Sequence, residues 1–226
     1  MVQCNGLQIR KIVSSNLTRT SNITQQKAHM TDEPKISLGK QYFTKNTGSV
    51  YEFYLSGEIE DASEYTEWFD TIRNARPTDT VKIYINSSGG DLYTALQFLR
   101  VMGECEGHLI TSVEGSCMSA ATMIFLSGHE YQVTPHSLFM FHNYSGGVFG
   151  KGGEQYDQIQ YERSWSEKFM NEVYKDFLTT EEIQSMLNNK DIWMTSEQVL
   201  ERIEKVMKKL HEEQQALETN SKSTGE

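Results

Sequence analysis

Residues 81–121 have the sequence VKIYINSSGGDLYTALQFLRVMGECEGHLITSVEGSCMSAA, and the pattern of this stretch decides the fold. Apolar and polar residues alternate over 81–85, as in a strand, and a Gly-Gly pair then precedes apolar residues that recur every three or four positions. A second strand pattern covers 108–113, and small residues around Ser119 open another helix. Strand, helix, strand and helix at this spacing predict βαβ units and a mainly parallel sheet.

The sequence on either side extends the same pattern. We expect further strands at 50–55, 131–133 and 137–142, and helices at 62–72, 92–102, 159–177, 180–187 and 196–210. Because a Gly-Gly pair marks turns, the stretch 86–90 is expected to turn sharply, and the chain beyond Gly153 is expected to be helical throughout. The expected fold class is therefore α/β.

Length and composition exclude several classes of protein. The chain has 226 residues, enough for one large domain with small appendages, and its net charge of −10 disfavours a general nucleic-acid binder. No run approaches the ~18 consecutive apolar residues that a membrane span requires. The three cysteines are too few and too widely spaced for a disulfide framework or a zinc cluster. We therefore expect no metal site and a reducing compartment.

The composition divides the chain into three segments. We expect residues 1–45 to be a polar, flexible tail or pro-segment, 46–211 to be the folded domain and 212–226 to be a polar tail that frays. The N-terminus lacks the apolar core of a secretory signal, so export is not supported. The first 31 residues hold four basic and no acidic side chains, which is also typical of an organellar transit peptide. We expect a cytoplasmic protein, with an organelle matrix or stroma as the alternative.

Two glycine-containing junctions between a strand and a helix are candidate sites. Gly89-Gly90 has the backbone freedom to cradle a phosphate, but it matches no nucleotide-binding motif, and a tight turn is the plainer interpretation. At the second junction, small residues surround Ser119, as they surround the nucleophile of α/β-hydrolases. The GxSxG pattern fails there because Ala121 replaces the second glycine, and a helix N-cap is the other interpretation of the serine.

Two further residues are able to complete a serine site. A serine hydroxyl needs a base to remove its proton, and the base needs a group that holds it in one tautomer. His142 ends an apolar strand, where parallel strands deliver functional groups, and Asp191 precedes an apolar pair. Each also has a plainer interpretation, as a half-buried structural histidine and as a surface acid. None of the three residues identifies a serine enzyme on its own.

Five motifs taken together resemble those of one protease family. They are Leu55-Ser-Gly-Glu-Ile-Glu-Asp61, Tyr84-Ile-Asn-Ser-Ser-Gly-Gly-Asp91, Gly115-Ser-Cys-Met-Ser-Ala-Ala121, Phe139-Met-Phe-His-Asn143 and Asp191-Ile-Trp-Met-Thr195. In this order they resemble the motifs of ClpP, the proteolytic subunit of Clp proteases, from about Val50 to Thr195. The resemblance implies the crotonase-like fold, a spiral of βαβ units with a strand-and-helix handle and a helical C-terminal segment.

The resemblance also implies the roles of individual residues. Ser119 would be the nucleophile, His142 the base and Asp191 the group that orients the base. The backbone N–H groups of Gly90 and Ala120 would form the oxyanion hole. An extended substrate would contact residues beside the glycine and histidine motifs, namely Gly89, Asp91, Leu92, Asn143, Tyr144 and Ser145. No cofactor is expected, because the chain has no Walker motif and ATP would be used only by a partner ATPase.

Partners follow from the same resemblance. The family assembles as stacked homo-oligomeric rings, which here would be joined through a handle at 145–177. The handle carries Trp165, Phe169, Tyr174 and Phe177, more aromatic residues than one small domain readily buries, so a partner surface is expected. An AAA+ Clp-type unfoldase would feed polypeptide substrates into the rings, and neither a nucleic acid nor a membrane is expected as a partner.

Three departures from the family pattern keep alternatives open. Ser88 stands where the family commonly has proline, and residues 1–45 do not match the family's N-terminal loop. The stretch 201–206 predicts uninterrupted helix where the family has a Tyr-Gly-Leu motif, which affects the docking surface for an ATPase. The alternatives are a catalytically silent structural ring subunit and a crotonase-fold acyl-CoA enzyme, which would require neither Ser119 nor His142.

Overall fold

A six-stranded sheet forms the centre of the fold in a computed structural model that describes residues 48–223. Its strands are β1 (Val50–Ile59), β2 (Thr80–Gly90), β3 (His108–Met118), β4 (Glu130–Val133), β5 (Leu138–Phe141) and β6 (Ile192–Thr195). The strand order is β1-β2-β3-β5-β6, and β4 also pairs with β3. The pairs are parallel except for β5 with β6, which is antiparallel. The predicted α/β class and the mainly parallel sheet are confirmed.

Within residues 48–223, six α-helices accompany the sheet. They are α1 (Thr66–Arg73), α2 (Leu92–Glu104), α3 (Ala120–Leu126), α4 (Gly152–Tyr174), α5 (Thr180–Leu187) and α6 (Ser196–Ser223), with a 3-10 turn at Ala62–Tyr65 before α1. Polar side chains begin several of them, because the first N–H groups of a helix lack partners within it. Asp91 Oδ1 accepts from the Thr94 N–H at 2.6 Å, and Thr179 forms a reciprocal capping box with Glu182.

The course of β2 corrects one prediction. The stretch 86–90 does not turn but continues the strand, and it pairs in parallel with β1 up to Ile59 beside Gly90. Alternate residues stay buried along this extension, namely Ser87 and Gly89. The ladder is irregular at this point, because Gly57 pairs with Ser87 and Glu58 with Gly89, so Ser88 has no partner in β1. Both glycines have a positive φ, +94° at Gly89 and +149° at Gly90, which lets the strand continue without the sharp turn.

The end of the sheet contains a strand that the sequence analysis missed. The sequence predicts helix throughout the chain beyond Gly153, but β6 lies between α5 and α6 and pairs with β5. Its four residues are too short to show a reliable alternation of polar and apolar side chains. A strand of this length exists because β5 offers it an open edge with unpaired N–H and C=O groups.

The handle segment also differs from the expectation. Its helix α4 begins at Gly152 and ends at Tyr174, and the described structure has no strand in residues 142–151. A strand there would need a neighbour with which to pair. Tyr174 and Phe177, expected at a partner surface, are buried in the core of this chain, and Phe169 packs against that core. Tyr174 and Phe177 are therefore not available to a partner, whereas Phe169 is only partly covered by this chain.

The C-terminal helix α6 is longer than predicted, since it passes His211 and ends at Ser223. Contacts one turn apart support it, between Lys205 and Glu201 at 2.7 Å and between Gln215 and His211 at 2.8 Å. The tail predicted at residues 1–45 lies outside the described residues. In the described part of the chain, no helix combines the length and the apolar character needed to cross a bilayer.

Candidate active site

Three elements bring the predicted triad residues to one edge of the sheet. Ser119 follows the last residue of β3, and His142 follows the last residue of β5. Because β3 and β5 are parallel neighbours, their carboxyl ends lie together. Asp191 directly precedes β6, which runs antiparallel to β5, so the start of β6 lies at the same edge. The topology of the sheet therefore gathers side chains that are 72 residues apart at most.

A short hydrogen bond at this edge joins Ser119 to His142. The distance from Ser119 Oγ to His142 Nε2 is 2.6 Å. Ser119 occupies the N-cap position of α3, but its side chain makes no capping hydrogen bond. The hydroxyl points to the imidazole instead, which is the contact a base needs in order to remove the hydroxyl proton.

The backbone of Ser119 is strained and firmly held. Its φ of 55° and ψ of −129° lie outside the regions that residues with a side chain usually adopt. Its N–H donates to the Met140 carbonyl at 2.8 Å, and its carbonyl accepts from the Thr122 N–H at 3.0 Å and from Thr122 Oγ1 at 2.7 Å. A strained conformation persists only where the surroundings fix it from several sides, and such residues cluster at functional sites.

Asp191 lies opposite His142 but does not bond to it. The ladder between β5 and β6 ends at the pair of Phe141 and Ile192, and His142 and Asp191 are the next residues of the two segments beyond it. In residues 48–223, the exposed Asp191 carboxylate has no hydrogen-bond partner, and His142 bonds through Nε2 to Ser119 alone. The structure thus brings two of the three predicted residues into contact.

The two glycines of β2 have different packing environments. A Cβ atom on Gly89 would lie 2.6 Å from Ser119 Cβ and 3.1 Å from the Ala120 nitrogen. A Cβ atom on Gly90 would lie 2.3 Å from the Ile59 carbonyl oxygen. Gly89 therefore lets β2 approach the turn that carries Ser119, whereas Gly90 lets β2 approach β1. Ala120 is the first residue of α3, a position whose N–H lacks a partner within the helix.

The predicted substrate contacts have other partners of their own. The Asp91 carboxylate caps α2, and the Asp91 N–H donates to the Ile59 carbonyl at 2.8 Å. Leu92 begins α2 and packs against the core. Asn143 Oδ1 accepts from the Tyr144 N–H at 2.9 Å, and burial together with nearby Glu162 raises the pKa of Tyr144. Ser145 is exposed in a segment without regular structure.

Other nucleophilic groups in the described region are less suited to the chemistry. Burial raises the pKa of Cys105 to about 11 and that of Cys117 well above its usual range, so both stay as thiols. Ser116, three residues before Ser119, donates through Oγ to Asn86 Oδ1 at 3.1 Å. Among residues 48–223, no three His, Cys, Asp or Glu side chains are grouped so that they could hold a metal ion.

Thr122 is a site residue that the sequence analysis missed. Its hydroxyl bonds to the Ser119 carbonyl and lies 2.7 Å from the hydroxyl of Tyr174. The spacing of three residues from Ser119 at the start of a helix is a signal for the first of these contacts. No sequence signal indicates the second, because the two partners are 52 residues apart.

Comparisons with known proteins agree with this architecture. The family model of Clp protease matches residues 50–209, which include β1, the serine turn and the start of α6. An ATP-dependent Clp protease proteolytic subunit of Leuconostoc citreum (strain KM20) is 26% identical over 155 residues, which cover 65% of this chain and 76% of that protein.

Two further relatives carry similar names. A proteolytic subunit of Bacteroides thetaiotaomicron is 28% identical over 131 residues, covering 55% of this chain and 58% of that protein. Proteolytic subunit 1 of Salinibacter ruber (strain DSM 13855 / M31) is 27% identical over 125 residues, covering 54% and 53%. The matches to these two relatives thus span little more than half of their length.

Proposed function

The chain belongs to the Clp protease family, and from this premise we propose that it is a serine endopeptidase that hydrolyses peptide bonds of unfolded polypeptides. The observation that carries the proposal is the 2.6 Å contact between Ser119 Oγ and His142 Nε2. The strained backbone of Ser119 supports the same assignment, because it presents the hydroxyl to the imidazole instead of capping α3.

The proposed reaction uses side chains and backbone groups of this chain. His142 Nε2 takes the proton of Ser119 Oγ as the oxygen attacks the peptide carbonyl, and the same proton then passes to the leaving amine. Water hydrolyses the resulting acyl ester, again with His142 as the base. Asp191 would stabilise the imidazolium and hold its tautomer. The N–H groups of Gly90 and Ala120 would bind the oxyanion, and each such donor typically lowers the activation barrier by about 3 kcal/mol.

An extended polypeptide suits the surroundings of the serine. Backbone pairing with residues 89–92 on one side and 143–145 on the other would align the scissile bond over Ser119 and give affinity with little dependence on sequence. Residues 143–145 belong to the segment 142–151, which lies outside helices and strands. Such a backbone is able to accept a strand from a substrate.

We further propose that the active particle is a stack of homo-oligomeric rings. No side chain of α4 before Ser166 is buried, so roughly 20 Å of the helix places no buried side chain in the core. A helical segment of this length with few buried contacts is marginally stable in water, and a second copy of the chain would supply further contacts.

An AAA+ unfoldase is the proposed partner that feeds substrate into the rings. The relatives named above are described as subunits of ATP-dependent proteases, and this chain would leave the use of ATP to its partner. A reducing, cytoplasmic setting is the proposed location. Cys105 and Cys117, which are both buried as free thiols, support such a setting.

The test of the activity is covalent labelling combined with hydrolysis of a short fluorogenic peptide. The wild-type protein should be modified by a fluorophosphonate at Ser119, and Ser119→Ala should lose both labelling and peptide hydrolysis while it keeps its fold. Ser116→Ala is the matched control and should retain activity, since Ser116 bonds to Asn86. Near wild-type turnover by Ser119→Ala would overturn the assignment.

A catalytically silent ring subunit is the second candidate. The observation that favours it is the Asp191 carboxylate, which makes no hydrogen bond to His142 or to any other described residue. The labelling experiment separates the two candidates. An assembled wild-type protein that neither reacts with the probe nor hydrolyses peptides supports the silent subunit.

A further inference from the structure

A chain of buried hydrogen bonds joins the end of the long helix α4 to the turn that carries the serine. Tyr174 is the last residue of α4, and it is fully buried. Its hydroxyl oxygen lies 2.7 Å from Thr122 Oγ1. Thr122 Oγ1 in turn donates to the Ser119 carbonyl oxygen at 2.7 Å. These bonds link two elements that are distant in sequence.

The direction of these hydrogen bonds follows from counting protons. A threonine hydroxyl has one proton, and Thr122 donates it to the Ser119 carbonyl. The bond between the two hydroxyls must therefore use the proton of Tyr174. Burial raises the pKa of Tyr174 above its ordinary value, which keeps that proton on the phenol oxygen. Tyr174 thus donates to Thr122, and Thr122 donates to Ser119.

Tyr174 also touches the element that carries the histidine. Its ring meets the ring of Phe141 edge to face, with centroids 5.6 Å apart and an angle of 85° between the planes. Phe141 is the last residue of β5 and directly precedes His142. Both rings are fully buried, so neither has room to tilt independently of the other.

The position of Tyr174 itself is well fixed. Its carbonyl accepts from the Phe177 N–H at 2.9 Å and from the Leu178 N–H at 2.7 Å, which closes the turn after α4. The Phe177 ring lies 5.4 Å from the Phe141 ring, between centroids. Tyr174 is therefore held in a fixed position, from which it contacts Thr122 on the side of Ser119 and Phe141 on the side of His142.

We infer that Tyr174 is a positioning residue for the proposed hydrolysis, holding the Ser119 turn through Thr122 and the backbone of His142 through Phe141. The inference rests on the proposed function, since it concerns the alignment of Ser119 with His142. It assigns to the Tyr174 hydroxyl a role beyond packing. The strained turn needs contacts that fix it. The Ser119 carbonyl accepts one of its two hydrogen bonds from the Thr122 hydroxyl, and that hydroxyl in turn accepts from the Tyr174 hydroxyl.

The test compares Tyr174→Phe with wild-type protein. This change removes one oxygen and keeps the ring contact with Phe141. We expect kcat for a short fluorogenic peptide to fall about tenfold with KM within twofold, because a displaced nucleophile slows the chemical step more than it weakens binding. The rate of fluorophosphonate labelling at Ser119 should fall by a similar factor.

Variants of Thr122 test the same connection from its other end. Thr122→Val removes the hydroxyl without changing the shape of the side chain and should reproduce the loss, whereas Thr122→Ser should restore most of kcat. The double variant Tyr174→Phe/Thr122→Val should lose no more than Thr122→Val alone, because both changes break one connection. If Tyr174→Phe does not fold, the comparison of Thr122→Val with Thr122→Ser decides the inference.

Tyr131→Phe is the matched control. The Tyr131 hydroxyl also bonds to α3, donating to the Leu126 carbonyl at 3.1 Å, but at the end of the helix away from Ser119. This variant should lose stability without losing kcat or labelling rate. A Tyr174→Phe protein that folds, assembles and keeps both rates would overturn the inference while the proposed function stands. A wild-type protein that is not labelled at Ser119 would overturn both.

Discussion

At the scale of single residues, Asp191 is the member of the proposed triad that makes no hydrogen bond to His142 in the single chain. It lies just beyond the last pair of the β5–β6 ladder, as His142 does, yet its carboxylate is exposed and makes no hydrogen bond within the described residues. If it orients the imidazole during turnover, Asp191→Asn should lower kcat by about 10³–10⁴-fold with little change in KM, since the imidazole loses its correct tautomer. Steady-state kinetics on a fluorogenic peptide measures both constants.

Asp157→Asn is a suitable control for this prediction, because Asp157 is an exposed acid on α4 whose removal should not change kcat. Unchanged kinetics in Asp191→Asn would show that His142 acts without this acid. The orienting group would then have to be sought elsewhere, or the site would have to function as a pair of serine and histidine.

A second residue, His129, couples folding to pH. Its Nδ1 accepts from the Leu109 N–H at 3.0 Å, and burial, with a smaller effect from His108, lowers its pKa from 6.5 to about 4. Below pH 6.5 the unfolded chain binds this proton and the folded chain does not, so the free energy of unfolding should decrease as the pH falls from about 6.5 to 4. The contribution is fully present above pH 6.5.

Urea unfolding at several pH values measures this effect. His129→Gln keeps an acceptor for the Leu109 N–H but cannot titrate, so its unfolding midpoint should depend less on pH than that of the wild type over this interval. His211→Gln serves as the control, because it removes an exposed imidazole on α6 that bonds to Gln215 and does not affect the pKa of His129. Equal pH dependence in wild type and His129→Gln would contradict the prediction.

At the scale of elements, the approach of β2 to the serine turn depends on Gly89. Its φ is +94°, and a Cβ atom would collide with Ser119. Gly57 has a similar φ of +85°, but a Cβ atom there would meet nothing within 4 Å. Both Gly→Ala changes carry the cost of the left-handed backbone, about 1–2 kcal/mol. Gly89→Ala should in addition lower kcat at least a hundredfold, and Gly57→Ala should not.

Thermal unfolding and peptide hydrolysis, measured on both variants, separate backbone strain from the collision. A Gly89→Ala protein as active as Gly57→Ala would mean that β2 can move away from Ser119 without consequence. In that case Gly89 would serve only the backbone conformation of β2.

The elements also show how far the sequence determines the structure. Helical spacing located α2, and the capping box at Thr179 located the start of α5, because both signals are local. The path of β2 through Gly89-Gly90 and the strand β6 were missed, since each depends on a neighbouring strand. Family motifs pointed to Ser119 and His142, but the link through Thr122 to Tyr174 joins residues that only the fold brings together.

At the scale of the whole molecule, the first half of α4 is the candidate assembly surface. Tyr156 is 65% exposed and Ile159 is 46% exposed, and both precede the first buried residue of the helix. Trp165 stacks on Phe169 at 4.9 Å, and Phe169 packs against the core of the same chain. Charges at those two positions would disturb the fold, so a test of assembly belongs at Tyr156 and Ile159.

Tyr156→Glu combined with Ile159→Glu should therefore split the particle into smaller species and silence peptide hydrolysis together. The change removes apolar side chains that have no partner within the described chain and puts charges in their place, which an interface between copies would not tolerate. Light scattering coupled to size exclusion measures the mass, and Gln158→Glu combined with Gln160→Glu is the control, because it adds the same charge without removing apolar surface. Loss of activity together with loss of mass would show that the serine site depends on assembly through α4. The contacts of Tyr174, the last residue of α4, with Thr122 and Phe141 are the structural route for this dependence. A wild-type protein that elutes as an active monomer would rule out the proposed assembly of rings. The exposed apolar side chains of α4, Tyr156 and Ile159, would then have no partner in a second copy of the chain.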